Sequence, residues 1–296
     1  MYRSRTPLHV GMPHTGAGGL LEVELLKHAA HLRWNDLGVA TGTPASRQAD
    51  ADGRPVYASV YYTEVEGFGD AGLAAFQPDD HIEIVSTLAR FGRTMLDGEH
   101  RLYRPGVLPD PLPETLPPAP FVRLSNVLVC PGGGPDDLRI TTPANSRIDD
   151  VPTLGEEPDS YRLIKEARTS GTFFPPPPDA TALWPGARTI ACRINADRDL
   201  NGVGLFYFAN YVVFMDLAER AALEQSGAYP ADALDGRTTV RRRIGFYGNT
   251  TPRDTLAVEV EAFRLPRAGH LLVHHRIRRG DGRVIAVASA ERALRV

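Results

Sequence analysis

The sequence is short of cysteine: Cys130 and Cys192 are the only two in 296 residues. A disulfide framework is therefore not expected, and a reducing cytoplasm fits. Long apolar runs are also missing. No stretch suits a bilayer span, and the first 20 residues lack the apolar centre of a signal peptide. The formal net charge is only -3, and the longest run of like charge is Arg241-Arg242-Arg243. That balance excludes an electrostatic case for nucleic acid or an anionic membrane surface. There is no P-loop, dinucleotide fingerprint or GxSxG serine elbow. His28 and His31, and the group His270, His274 and His275, have no acidic or thiol partner at ligand spacing, so no metal is expected.

Proline is abundant, with 25 in all, seven of them between 105 and 120 and four at 175 to 178. Such segments read as extended connectors, because proline lacks a ladder donor and disfavours helix. Two segments read as long buried helices behind glycine turns. GAGGLLEVELLKHAAHLRWNDLG (16–38) repeats Leu21, Leu25, Ala29 and Leu32 at helical spacing, with Gly38 as the stop. NGVGLFYFANYVVFMDLAER (201–220) is the second. Strand-like runs follow each, among them VYASVYYTEVEGF, DHIEIVSTLARF, TLAVEVEAF and HLLVHHRI. Asp97-Gly98 and Asp281-Gly282 carry the strongest local hairpin signal. Pro78-Asp79-Asp80-His81-Ile82 and Pro252-Arg253-Asp254-Thr255-Leu256 both fit P-x-D-x-[IL], each downstream of its helix. The repeated order argues for an internal duplication. It predicts an α+β double hot-dog fold, in which each half wraps an antiparallel sheet around one long helix. The expected organisation is a first hot dog over 1–135, a connector over 136–185 with a short helix at 159–168, and a second hot dog over 186–296.

The segment from 201 carries the chemistry. It resembles the signature of acyl-CoA thioesterase-type hot dogs, with Gly204 at the family's glycine and Asn201 where the catalytic Asp stands. A helix N-terminus presents unpaired N–H groups, and glycine lets a thioester carbonyl approach them closely. Such a site stabilises an oxyanion or enolate. Gly202, Gly204, Leu205 and Tyr207 are therefore candidate substrate contacts, with Leu205, Phe206 and Phe208 as walls. The alternative is that the glycines only relieve crowding between helix and sheet. Asn201 cannot take up a proton, which disfavours Asp-driven hydrolysis and leaves an amide for positioning a carbonyl or carboxylate. His14 and Gly18 supply half of the HxxxGxxxxP pattern of hot-dog dehydratases, but Val23 replaces its proline. His14 is a candidate contact, or else a local cap. Tyr57, Tyr61 and Tyr62 share one strand, where alternation places Tyr57 and Tyr61 on one face and Tyr62 on the other.

Taken together, MPHTGAGGLLEVELLKHAAHLRW, GTPASR, VYASVYY and ANYVVFMDLAERAAL resemble the leinamycin-type bifunctional acyltransferase/decarboxylases of polyketide and antibiotic biosynthesis. The resemblance implies a homodimer that decarboxylates methylmalonyl-CoA and delivers propionyl to the phosphopantetheine thiol of an acyl carrier protein. It implies no cofactor beyond the substrate's own CoA. It also implies that the strand tyrosine, Tyr62 here, is catalytic. A free phenol has a pKa near 10, so Tyr62 is either an activated acyl carrier or a hydrogen-bond and proton donor. Asn201 would assist the enolate. Arg47 and the arginines at 241–243 are candidates for a basic surface facing the carrier, or an ordinary exposed strand end. A hot-dog thioesterase and a non-catalytic acyl-binding component of an assembly line are the competing functions.

Overall fold

A computed structural model of the chain describes residues 1–132, 134 and 137–294. The expected boundary between 135 and 136 falls on residues outside that description. The runs rich in Val, Ile, Thr and Tyr form ten principal strands. In the first half these are β1 (Tyr2–His9), β2 (Tyr57–Glu66), β3 (His81–Phe91), β4 (Met95–Tyr103) and β5 (Phe121–Pro131). In the second they are β6 (Arg188–Arg193), β7 (Thr238–Phe246), β8 (Thr255–Arg264), β9 (His270–Arg278) and β10 (Val284–Ala293). Three longer helices accompany them among the described residues: α1 (Glu22–Thr41), α2 (Asp159–Ser170) and α3 (Asn210–Ser226).

All ten strands join one antiparallel sheet in the order β1-β3-β4-β5-β2-β7-β10-β9-β8-β6, with Leu138–Ile140 added on β5 and Thr181–Ala182 on β8. Read outward from the central β2–β7 pair, both halves follow the same path. Each also places one long helix between its first and second strands in the chain. This is the double hot-dog fold. The shared P-x-D pattern has the same task in both halves. Asp80 Oδ2 accepts the N–H of Gln77 just before β3, and Asp254 Oδ2 accepts that of Thr251 just before β8.

One apolar core runs through both halves. Leu25, Leu26, Ala29 and Leu32 of α1 meet Phe214, Met215, Ala218 and Leu223 of α3 against Ile84, Leu124, Val258 and Val273 of the sheet. Each such leucine, valine or phenylalanine contributes roughly 1.5–3 kcal/mol on burial. Among the described residues, no helix is long and apolar enough to cross a membrane.

The local signals need four corrections. First, α1 starts at Glu22, because Thr15–Gly16 and Gly19–Leu20 form a small hairpin first. Second, α1 runs through Gly38 to Gly42, which takes the left-handed cap at φ 69°. Gly38 instead accommodates the returning chain, where a Cβ would lie 3.4 Å from Pro44 Cα. Third, only the second part of 201–220 is helical, since α3 begins at Asn210 and ends before Gly227. Fourth, Asp97-Gly98 lies inside β4, and the β3–β4 turn falls at 92–94. Gly98 is required there because a Cβ would sit 1.9 Å from the Thr87 carbonyl. Asp281-Gly282 does form the β9–β10 turn, with Gly282 at φ 83°.

Candidate active site

The two hot dogs are joined by a short seam. β2 and β7 pair only over Tyr62–Val65 with Gly245–Arg242. Before Tyr62 the strands part, and Tyr57 to Val60 pair with β5 alone. A slot of about 940 Å³ runs through this opening. One wall is α1, through Lys27, Ala30, His31, Arg33, Trp34 and Leu37. The facing wall is the turn at 201–208 with Tyr211, and Tyr57–Tyr61 and Tyr247–Asn249 border the gap. Among the described residues, the lining contains five basic side chains (Lys27, His31, Arg33, Arg168 and Arg283) and no Asp or Glu. In a chain with 36 acidic residues, that bias gives the slot a positive potential suited to an anionic ligand.

The turn is built around Asn201. Its Oδ1 accepts the N–H groups of Val203 (3.1 Å) and Leu205 (3.0 Å), and its own N–H donates to the Leu205 carbonyl (2.8 Å). The Phe206 N–H donates to Asn249 Oδ1, and that of Tyr207 to the Asp199 carbonyl. A short polar side chain that captures successive backbone donors competes with helix, which explains why α3 starts nine residues later. The turn amides at 203–207 are therefore consumed internally. Among the described residues, the Asn201 Nδ2 and the Gly202 N–H have no partner in the chain. Crowding does not explain these glycines, because a Cβ at Gly202 or Gly204 would meet nothing within 4 Å. Gly204 is required by its φ of 77°. Phe206 packs edge-on against Tyr211 and Phe214 at 4.6 and 5.2 Å, and the Tyr211 hydroxyl donates to the Gly248 carbonyl, so this wall is fixed.

Asn201, Gly202, Leu205 and Tyr207 thus share the slot, with Phe206 and Phe208. Gly204 is in the same turn but not in the lining. His14 and Gly18 are elsewhere. His14 Nδ1 accepts the Gly11 N–H, and Gly18 packs so closely on the Arg237 carbonyl that a Cβ would come within 2.5 Å. They lie before α1, where the chain packs tightly against the start of β7. There the turn Gly72–Ala75 lies against β7, with no room for a Cβ at Gly72 beside the Thr239 carbonyl. Behind it sits a buried ion cluster in which Arg242 holds Asp216 (2.6 Å), and Arg237 and Arg292 hold Glu219 (3.0 and 3.2 Å). The arginines at 241–243 are therefore not a free basic surface. Arg241 pairs with Glu291, Arg242 is within the cluster, and Arg243 pairs with Glu64. Arg47 is exposed but outside the slot lining.

Tyr62 is fully buried behind the seam. Its hydroxyl donates to Glu64 Oε2 (3.1 Å), and its ring meets Phe173 edge-on at 5.8 Å. Burial, reinforced by the Glu64 carboxylate, pushes the phenol well above its ordinary pKa, against a weaker pull from Arg243. The expected alternation fails at this point. The β2–β5 register shifts between Val60 and Tyr62, so a bulge at Tyr61 turns its hydroxyl to Ser160 of α2 (3.2 Å), on the same connector-covered side as Tyr62. The α1 wall, Arg168 and Asn249 carried no sequence signal as site residues. They come together only through the parting of β2 from β7.

No protein-family model matches the chain, and no curated protein is similar to it in sequence. Solved structures do match along nearly its whole length. A putative oleoyl thioesterase from Lactobacillus plantarum superposes with a TM-score of 0.68 at 11% identity, covering 99% of this chain and 96% of that one. A 12:0-ACP thioesterase from Umbellularia californica gives 0.61 at 11%, with 99% and 94% covered. An acyl-ACP thioesterase from Bacteroides thetaiotaomicron gives 0.57 at 10%, with 99% and 98% covered. The likeness is one of fold.

Proposed function

We propose that the chain is an enzyme of acyl thioesters. In this reading it takes methylmalonyl-CoA, removes CO2 and passes the propionyl group to the phosphopantetheine thiol of an acyl carrier protein. The observation that carries the reaction type is the slot itself, which has Asn201 on its wall and no carboxylate among its described lining residues. Hydrolysis driven by a side-chain carboxylate finds no base among those residues. Decarboxylation needs none. The electrons of the breaking C–C bond pass into the thioester carbonyl, CO2 departs, and the enolate takes a proton at Cα. The Asn201 Nδ2 and the Gly202 N–H are donors for the enolate oxygen, in the manner of an oxyanion hole. The carrier thiol then attacks the propionyl carbonyl and CoA leaves as the thiol. The slot's basic side chains suit the phosphates of CoA and of the carrier's prosthetic group. No organic cofactor beyond these enters the reaction.

Tyr62 fits the role of hydrogen-bond donor better than that of acyl carrier or proton source, because its surroundings oppose the phenolate that both of the latter require. Tyr62 is not among the described lining residues of the slot, so its direct contact with substrate requires the seam to rearrange. Hydrolysis of an acyl-CoA or acyl-ACP is the second reading, favoured by the thioesterase names of the structures that share this fold. The test is incubation with methylmalonyl-CoA and holo carrier protein, followed by the carrier's mass. Propionyl-carrier is expected, whereas free acid with unmodified carrier leaves the thioesterase. Sedimentation of the same preparation checks the homodimer.

A further inference from the structure

Among the described residues several guanidinium groups are buried, and all but one have carboxylate partners. Arg242 holds Asp216, and Arg237 and Arg292 hold Glu219. Arg33 does not follow this pattern. It is 2% exposed and lines the slot, yet Nε, Nη1 and Nη2 have no acceptor among the described residues. Asp36 and Asp97 act on it through space, but neither forms an ion pair with it. Its surroundings add more unpaired ring nitrogens. His100, 1% exposed, gives Nδ1 to Ser86 at 2.8 Å and leaves Nε2 without a partner, as does His28. Gly98 keeps the floor open, since a Cβ there would stand 2.8 Å from Arg33 Nη2. A buried, unpaired cation is strongly unfavourable, and a planar fork of donors matches a carboxylate in two-point contact.

We infer that Arg33 receives the free carboxylate of the acyl group and so selects carboxyacyl thioesters over simple acyl thioesters. The inference rests on the acyl-thioester reading of the slot and adds the residue that recognises the acid. His100, uncharged in its buried position, supplies a further N–H from Nε2 when Nδ1 accepts from Ser86. The pairing holds the carboxylate in the ground state. Removing it therefore raises KM without lowering kcat, unlike the loss of a group that acts on the transition state.

Two inert thioethers test this on the full chain by calorimetry: S-(2-carboxyethyl)-CoA, which places a carboxylate where a malonyl group has it, and S-propyl-CoA. The wild type is expected to prefer the carboxyethyl compound at least tenfold. Arg33→Met is expected to reduce that preference below threefold with S-propyl-CoA binding unchanged, and Arg33→Lys to keep part of it. A wild type that binds both thioethers equally overturns the role of Arg33 and leaves the acyl-thioester reading standing. So does a preference that survives in Arg33→Met. A wild type that binds neither overturns that reading as well. Should Arg33→Met fail to fold, the wild-type preference and the Arg33→Lys ratio still decide, because a lysine that keeps the full preference excludes two-point recognition.

Discussion

Replacing Asn201 by Asp separates the two tasks of that side chain. Oδ1 accepts from the Val203 and Leu205 amides, and Nδ2 remains to serve a ligand. An aspartate is nearly isosteric and keeps both acceptor bonds, with a charged oxygen that accepts more strongly. The turn should therefore survive, and stability should stay within about 0.5 kcal/mol, the range of surface changes that break no specific feature. Asn201→Ala loses both bonds at about 1 kcal/mol each, so it should cost roughly 1–2 kcal/mol and lower Tm by a few degrees. Activity should order differently. Aspartate replaces an N–H donor with a negative charge where the enolate oxygen develops. Loss of one such donor costs roughly 100- to 1000-fold in kcat, about 2.7–4 kcal/mol. The repulsive charge adds to this. The assay is CO2 release from methylmalonyl-CoA alongside a urea melt of each variant. A variant Asn201→Asp that folds like the wild type and still releases CO2 at the wild-type rate would refute the enolate role of this amide. Free acid from that variant, where the wild type forms none, would show that the slot becomes hydrolytic once a carboxylate is supplied.

Three further outcomes are expected. Tyr62→Phe removes the bond to Glu64, which keeps Arg243 at 2.7 Å, so stability should fall by about 1 kcal/mol. Turnover should drop at least 100-fold, and unchanged turnover would remove Tyr62 from the mechanism. His100 is buried beside Ser86, Arg33 and His28, and burial holds its folded pKa well below 6.5. Its contribution is present above the unfolded value and lost as pH falls below about 6.5, because only the unfolded imidazole takes up the proton. His100→Gln should therefore flatten the pH dependence of stability between pH 6 and 5 by up to about 1.4 kcal/mol per pH unit, and an unchanged slope in urea melts would contradict the assignment. Arg242→Met leaves the buried Glu22 and the partly exposed Asp216 with Arg292 alone, at 3.9 and 3.5 Å. It should cost about 3–5 kcal/mol, and a smaller loss in the same melts would mean that Arg237 and Arg292 carry the cluster.

The duplication was legible in the sequence because it rests on backbone chemistry that local residues declare. Asp80 and Asp254 each accept an N–H from three residues earlier, and Asp281-Gly282 adopts the φ that its turn requires. The slot was far less legible, for three physical reasons. The apolar residues Leu205, Phe206 and Phe208 suggest a buried helix, yet they are held in a turn by two carboxamides, Asn201 and the distant Asn249. The strand tyrosines were assigned faces by period-two alternation, and one bulge at Tyr61 cancels that rule. Finally, α1 does not divide into an apolar and a charged face, since it buries Glu22, Arg33 and Asp36 while Val39 is 69% exposed. In a helical pattern an arginine among leucines reads as a solvent-facing position. Only the sheet, with Gly98 opposite and no ion pair or hydrogen bond to the guanidinium among the described residues, shows that Arg33 is a buried cation without a direct partner. Residues whose burial contradicts their chemistry are where local patterning fails, and a functional site is the expected reason for such a contradiction.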